Sequence, residues 1–254
     1  MSRTSSFVFD DIARVYDETR SLPPDVMEKV VHTLAKMLQG TSTLLDIGVG
    51  TGRYALPLSA RGICVTGLDI SMMMMRRAAL KGCCNLVRGD AALLPFKNRT
   101  FDAALMVHVL HLIPNWQGAV AEVARVVRTS LLTVTTYREP EFKGRVEYIE
   151  MVERSGYGPA FPGKHEREMA EITAPDETIE IHRYKEEIPA HHLIGRIERR
   201  EYSWATKLPD EQHSEAVERI RARWEGRTHK TETTIKIHRW ERERLKAVLM
   251  GTES

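Results

Sequence analysis

Short apolar runs rich in β-branched residues alternate with stretches whose apolar positions recur every three or four residues through the first 140 positions. Runs of period two or of continuous apolar character fall at 43–47, 63–68, 85–88, 101–107 and 131–136, and helical periodicity falls between them at 53–61, 71–81 and 116–128. Strand and helix in alternation predict βαβ units, in which a parallel sheet is covered by helices on both faces. Two further helices are predicted before the first strand, at 7–20 and at 24–39, the second with prolines in its first turn and Gly40 as a stop.

After Tyr137 the pattern changes. Charged residues number 28 in the first 140 positions and 44 in the remaining 114. Helical periodicity appears at 145–154 and 210–224, while 178–184 and 232–240 alternate as strands able to pair at the sheet edge. No repeat or low-complexity linker separates the two parts. The expectation is one domain over 1–254, made of a helical cap at 1–40, a core at 41–140, and a lid with the last two strands at 141–254.

Composition narrows the function. The 254 residues carry 37 basic and 35 acidic side chains, a formal charge of +2, so no excess of positive charge calls for nucleic acid or an anionic membrane. The longest apolar runs fall far short of the roughly 20 residues that span a bilayer. Residues 1–10 lack the features of a secretory signal, which places the expected location in the cytoplasm. The three cysteines, Cys64 and the vicinal Cys83–Cys84, match neither a disulfide framework nor a zinc spacing, and no metal is expected.

The chemistry concentrates where the first strand ends. Asp46-Ile47-Gly48-Val49-Gly50-Thr51-Gly52-Arg53 runs from a strand into a glycine turn and then a helix, an arrangement that lets a nucleotide-like ligand approach the backbone. A dinucleotide fingerprint needs a third glycine at position 53, where Arg53 stands. Asp46 would repel a pyrophosphate but attract an ammonium or sulfonium group. Asp69 ends the second strand, where this class of sheet places an acceptor for ribose hydroxyls.

Together with Gly67-Leu68-Asp69-Ile70-Ser71 followed by Met74 and Ala78, these residues resemble the class I S-adenosylmethionine-dependent methyltransferases, type 11. Gly89-Asp90-Ala91, Leu94-Pro95-Phe96, Phe101-Asp102-Ala103, Val109-Leu110-His111, Trp116 and Glu122-x-x-Arg125-Val126 complete the ordered set. The similarity covers roughly residues 10–140. It implies a Rossmann-like, doubly wound, seven-stranded, mostly parallel sheet with N-terminal helices and a helical insert over the substrate.

It also implies roles. Asp46 and the backbone of Gly48 and Gly50 would hold the amino-acid end of S-adenosylmethionine, and Asp69 the ribose. Ile70 and one of Met73 or Met74 would sandwich the adenine, with Asp90 accepting from its amino group and Ala91 against the ring. Tyr16 and Arg20 match an N-terminal motif that folds over the cofactor, and His108 would border the methyl group. His111, with Tyr16 second, is the candidate base for an acceptor that must lose a proton.

The sequence departs from the family at 125–130, where Arg-Val-Val-Arg-Thr-Ser replaces the usual Pro-Gly-Gly turn and leaves the start of the fifth strand open. The acceptor implied is a small molecule methylated at O, N, S or C. A tRNA acceptor, a non-catalytic cofactor sensor or scaffold, and a nicotinamide oxidoreductase are the alternatives. The interleaving of Glu211, Glu215, Glu218 and Glu225 with Arg219, Arg221, Arg223 and Arg227 argues for a solvated face over a nucleic-acid patch. Homodimerisation has no sequence signal for or against it.

Overall fold

The computed structural model describes residues 22–157 and 161–250; the predicted helix at 7–20, with Tyr16 and Arg20, lies outside them. The described chain forms two compact units. One comprises residues up to 135, 163–182 and 235 onward; the other comprises 136–162 and 183–234.

In the first unit, α1 (Pro24–Met37) precedes β1 (Thr43–Ile47), and its stripe of Val26, Val30, Val31 and Leu34 is buried. The alternation then runs through α2 (Ala55–Ser59), β2 (Cys64–Asp69), α3 (Met72–Leu80), β3 (Asn85–Arg88) and β4 (Phe101–Met106). A single 3₁₀ turn at Leu110–Leu112 leads into α4 (Trp116–Val126), followed by β5 (Val127–Glu139). In β1, Leu44, Leu45, Asp46 and Ile47 are all buried, as befits a strand covered on both faces. β1 pairs in parallel with β2 on one side and β4 on the other; β3 and β5 extend the parallel set outward.

The missing Pro-Gly-Gly turn has a structural answer. α4 ends at Val126 and β5 begins at Val127 with no loop between them, and the register of β4 against β5 shifts between Phe101 and Ala103. Helix therefore passes into strand in one residue step, and the irregularity is taken up at the start of β5, where the three steps from Val127 to Ser130 face two from Phe101 to Ala103.

After β5 come α5 (Lys143–Arg154), α6 (Glu166–Ile172), β6 (Glu177–Pro189) and α7 (Ala190–Glu198). A 3₁₀ turn at Ser203–Thr206, α8 (Asp210–Trp224), β7 (Thr228–Glu241) and α9 (Arg242–Met250) follow. Among the described residues the seven strands order as β3-β2-β1-β4-β5-β7-β6. The expected sheet is therefore present, with the two late strands at its edge. Chain order reverses between β1 and β4, which opens the switch-point crevice at the carboxyl ends of those strands.

The core of the first unit gathers Leu45, Ile47 and Leu68 from the sheet with Trp116, Val120 and Val123 of α4, together with Met169, Trp240 and Leu245. The second unit has its own core, in which Tyr148, Ile194, Trp204, Val217 and Ile220 are buried. At its centre the Tyr148 hydroxyl lies 2.7 Å from His213 Nδ1, while His213 Nε2 donates to the Glu198 carbonyl at 3.1 Å. Three helices, α6, α7 and α9, seven, nine and nine residues long, went unmarked in the sequence pattern.

Candidate active site

The glycine turn after β1 is knitted to the end of β2. Gly48 and Val49 N–H groups both donate to the Leu68 carbonyl, at 2.8 and 3.0 Å, and Gly50 N–H donates to Asp69 Oδ2 at 2.8 Å. Asp69 Oδ1 in turn accepts from Ser71 N–H at 2.8 Å, and Ser71 caps α3 by accepting from Met74 N–H at 3.2 Å. One carboxylate thus ties the glycine turn to the start of α3. Because these N–H groups are committed, the turn offers a ligand mostly carbonyls and carboxylates, an edge suited to a cationic group.

Gly48 is required twice over. Its φ is +72°, and a Cβ there would lie 2.6 Å from Cγ2 of Val109, which packs against the turn.

Asp46 is buried to 3% exposure beneath the turn, and burial, aided by the charge of Asp69, pushes its pKa up to about 7. The cavity at the switch point is lined by Gly48, Gly50, Asp69, Ile70 and Met74 on one side, with Asp90 and Ala91 beside them. Its other side is the segment after β4, including His108, Val109 and Leu112. Of the expected cofactor residues within the described chain, all but Asp46 line this one cavity. His111 does not line it: its ring stacks on His165, with centroids 4.5 Å apart and planes 19° apart.

The Asp90 loop is held from behind. Asp90 Oδ1 accepts from Ala92 N–H at 2.8 Å, and Glu122 of α4 accepts from Leu94 N–H at 2.8 Å. Arg125 donates to the carbonyls of Phe96 and Leu94 at 2.7 and 3.0 Å while pairing with Glu122. The Glu122-x-x-Arg125 motif is therefore a brace for the loop that presents Asp90 and Ala91.

Sequence reasoning missed Gly163, His165 and Glu166. The donor atoms of His111, His165 and Glu166 lie within 4.8 Å of one another. Stacked rings carry their nitrogen lone pairs in nearly parallel planes, so the two imidazoles do not converge on one ion at the roughly 2.0–2.1 Å a zinc–nitrogen bond needs. Pro162-Gly163 is a turn signal that marks the segment, but nothing in the residue pattern says what it abuts.

Comparison with known proteins agrees with the geometry. The family model described as a methyltransferase domain matches residues 45–130. A demethylmenaquinone methyltransferase of Tropheryma whipplei is 33% identical over 130 residues, covering 48% of this chain and 53% of that protein. A phosphatidylethanolamine N-methyltransferase of Cereibacter sphaeroides is 32% identical over 114 residues, covering 42% and 56%. The chain thus spans about half the length of the curated relatives it matches. Among solved structures, the YcgJ protein of Bacillus subtilis superposes with a TM-score of 0.53 at 20% identity, over 83% of this chain and 97% of that one, a likeness of fold. Ordered motifs, strand order and sequence match coincide on one segment, and residues 45–130 of the chain match the methyltransferase-domain family.

Proposed function

We propose that the protein is an S-adenosylmethionine-dependent methyltransferase acting on a small-molecule acceptor. The observation that carries the reading is the cavity at the switch point, where Asp69, Asp90, Ile70, Met74 and the glycine turn meet. The donor set fits the cofactor: carboxylates stand at the ends of β2 and β3 for hydroxyl and amino donors, and apolar side chains between them suit a flat base. In this reading Asp69 takes the ribose hydroxyls with lone pairs not used by Gly50 and Ser71. Ile70 and Met74 flank the adenine, Asp90 accepts from its amino group, and Ala91 lies against the ring. Asp46 supplies negative charge under the turn that receives the cationic amino-acid end at Gly48 and Gly50. Tyr16 and Arg20 would cover the cofactor, and His108 would border the reacting centre.

When bound, the cofactor supplies a sulfonium-activated methyl group. What remains for the protein is to align the acceptor atom with that group and exclude water. A base is needed only for an acceptor that must lose a proton, and we assign that task to His111, on the 3₁₀ turn between cavity residues Val109 and Leu112, with Tyr16 as the second candidate. The printed names of both relatives specify small-molecule acceptors, which supports the same class here.

Calorimetric titration with S-adenosylhomocysteine, S-adenosylmethionine and NAD tests the reading. Micromolar binding of the first two and none of NAD is expected; tighter binding of NAD would overturn it. Asp69→Ala should cost about 1.5–3 kcal/mol of cofactor affinity, the worth of hydrogen bonds to a charged group. His111→Ala should abolish turnover on a proton-bearing acceptor while leaving cofactor affinity intact, and undiminished turnover would remove His111 from the mechanism.

A further inference from the structure

The wall of the cavity after β4 is held by a strained backbone. His108 lines the cavity and takes a φ of +56°, a strained conformation for a non-glycine residue that persists only where its surroundings impose it. The imposing contacts come from a segment outside the methyltransferase match. Glu166, at the first turn of α6 and only 2% exposed, accepts at Oε1 from Val109 N–H at 2.8 Å and from Leu110 N–H at 3.2 Å. His108 backbone adds to the same set. Three residues earlier, Gly163 N–H donates to the His111 carbonyl at 2.9 Å. A Cβ on Gly163 would stand 2.3 Å from the Leu110 carbonyl oxygen and 2.4 Å from that of Ile113, so only glycine lets the segment lie this close.

We propose that Glu166, seated by Gly163, is a positioning residue of the cofactor site: it fixes the His108–Leu110 wall and, through Val109 packed on Gly48, the glycine turn opposite. The inference rests on the cofactor reading above for what the cavity holds. A buried carboxyl facing a row of backbone N–H groups has few other uses. Burial raises its pKa while those N–H groups pull it down, and Oε1 accepts from both donors in either protonation state. Glutamine keeps an acceptor oxygen of the same reach; alanine leaves the buried Leu110 N–H and the part-buried Val109 N–H without one.

The test combines amide hydrogen exchange with titration by S-adenosylhomocysteine on four variants. In Glu166→Ala, protection at the Val109 and Leu110 amides should fall well below that of the β1 and β4 core, and affinity should drop about tenfold or more, the equivalent of about 1.4 kcal/mol. Glu166→Gln should restore affinity to within about threefold of wild type, because the amide oxygen still accepts. Gly163→Ala should reproduce the alanine phenotype from the backbone side, and it keeps the proposal testable if Glu166→Ala fails to fold. Leu34→Ala, in the buried stripe of α1, serves as a control that lowers the melting temperature without touching the wall. Affinity loss that follows melting temperature equally in Leu34→Ala and Glu166→Ala would reduce Glu166 to a structural residue and overturn the proposal, as would unchanged exchange at Val109 and Leu110. Absence of binding by the wild-type protein would instead overturn the cofactor reading, leaving the exchange data to judge the brace.

Discussion

Asp46 shows how much one buried carboxyl can set. Its folded pKa of about 7 lies above the ordinary value of 3.8, so the native state holds a proton that the unfolded chain releases between those values. Stability of the ligand-free protein therefore falls as pH rises from about 4 to about 7 and stays reduced above it. Asp46→Asn should raise the melting temperature at pH 8, with the gain disappearing near pH 4; a gain independent of pH would show that the carboxyl is ionised throughout. The same substitution should weaken S-adenosylmethionine, whose cationic end needs the charge that folding suppresses. At this scale the sequence was informative where a residue's role follows from its place at a strand end. Asp46, Asp69 and Asp90 stand at or just past the ends of β1, β2 and β3, and two of the three line the cavity. Glu166 was not legible, because a glutamate among Glu168, Arg167 and Glu171 reads as a solvated helix face until its burial is seen.

Elements were read best where both periodicity and burial were strong. β1, β3 and α8 run over the expected residues, and α4 stops two residues short of its expected end. β5, β6 and β7 extend beyond the expected spans because charged and polar residues continue them, as edge or partly solvated strands allow. In the second unit α5 and α8 depend on a polar pair that no pattern reveals. His213, kept neutral by burial, spends its Nε2 hydrogen on the Glu198 carbonyl, so Nδ1 is an acceptor for the Tyr148 hydroxyl, which also lies 3.1 Å from the Ala205 carbonyl. Tyr148→Phe strands that nitrogen, and a loss of about 1–3 kcal/mol in chemical denaturation is expected. A loss near zero would mean that water replaces the hydroxyl.

For the whole molecule, near-neutral charge and paired arginines set the expectations. On α8, Arg219 pairs with Glu215, Arg221 with Glu198 and Glu225, and Arg223 with Glu147. Such a face gives little counterion release, so RNA binding at 0.15 M salt should be undetectable by filter retention; a steep salt-dependent affinity would revive the tRNA alternative. No helix among the described residues is long and apolar enough to cross a membrane. Cofactor binding acts on the fold by mass action: S-adenosylhomocysteine at a hundred times its Kd should stabilise the protein by about 2.7 kcal/mol, a rise of roughly 5–10 °C in melting temperature for a chain of this size. The direct joint between Val126 and Val127 carries a consequence of another kind. With no loop to take up slack, helix and strand are geared together, so one residue inserted at that joint would turn every side chain of β5 to the opposite face of the sheet. The same insertion at Gly82, in the turn after α3, would be absorbed locally. An insertion scan should therefore find the chain forgiving at Gly82 and intolerant at 126–127, where the missing turn has made the two elements a single inflexible part.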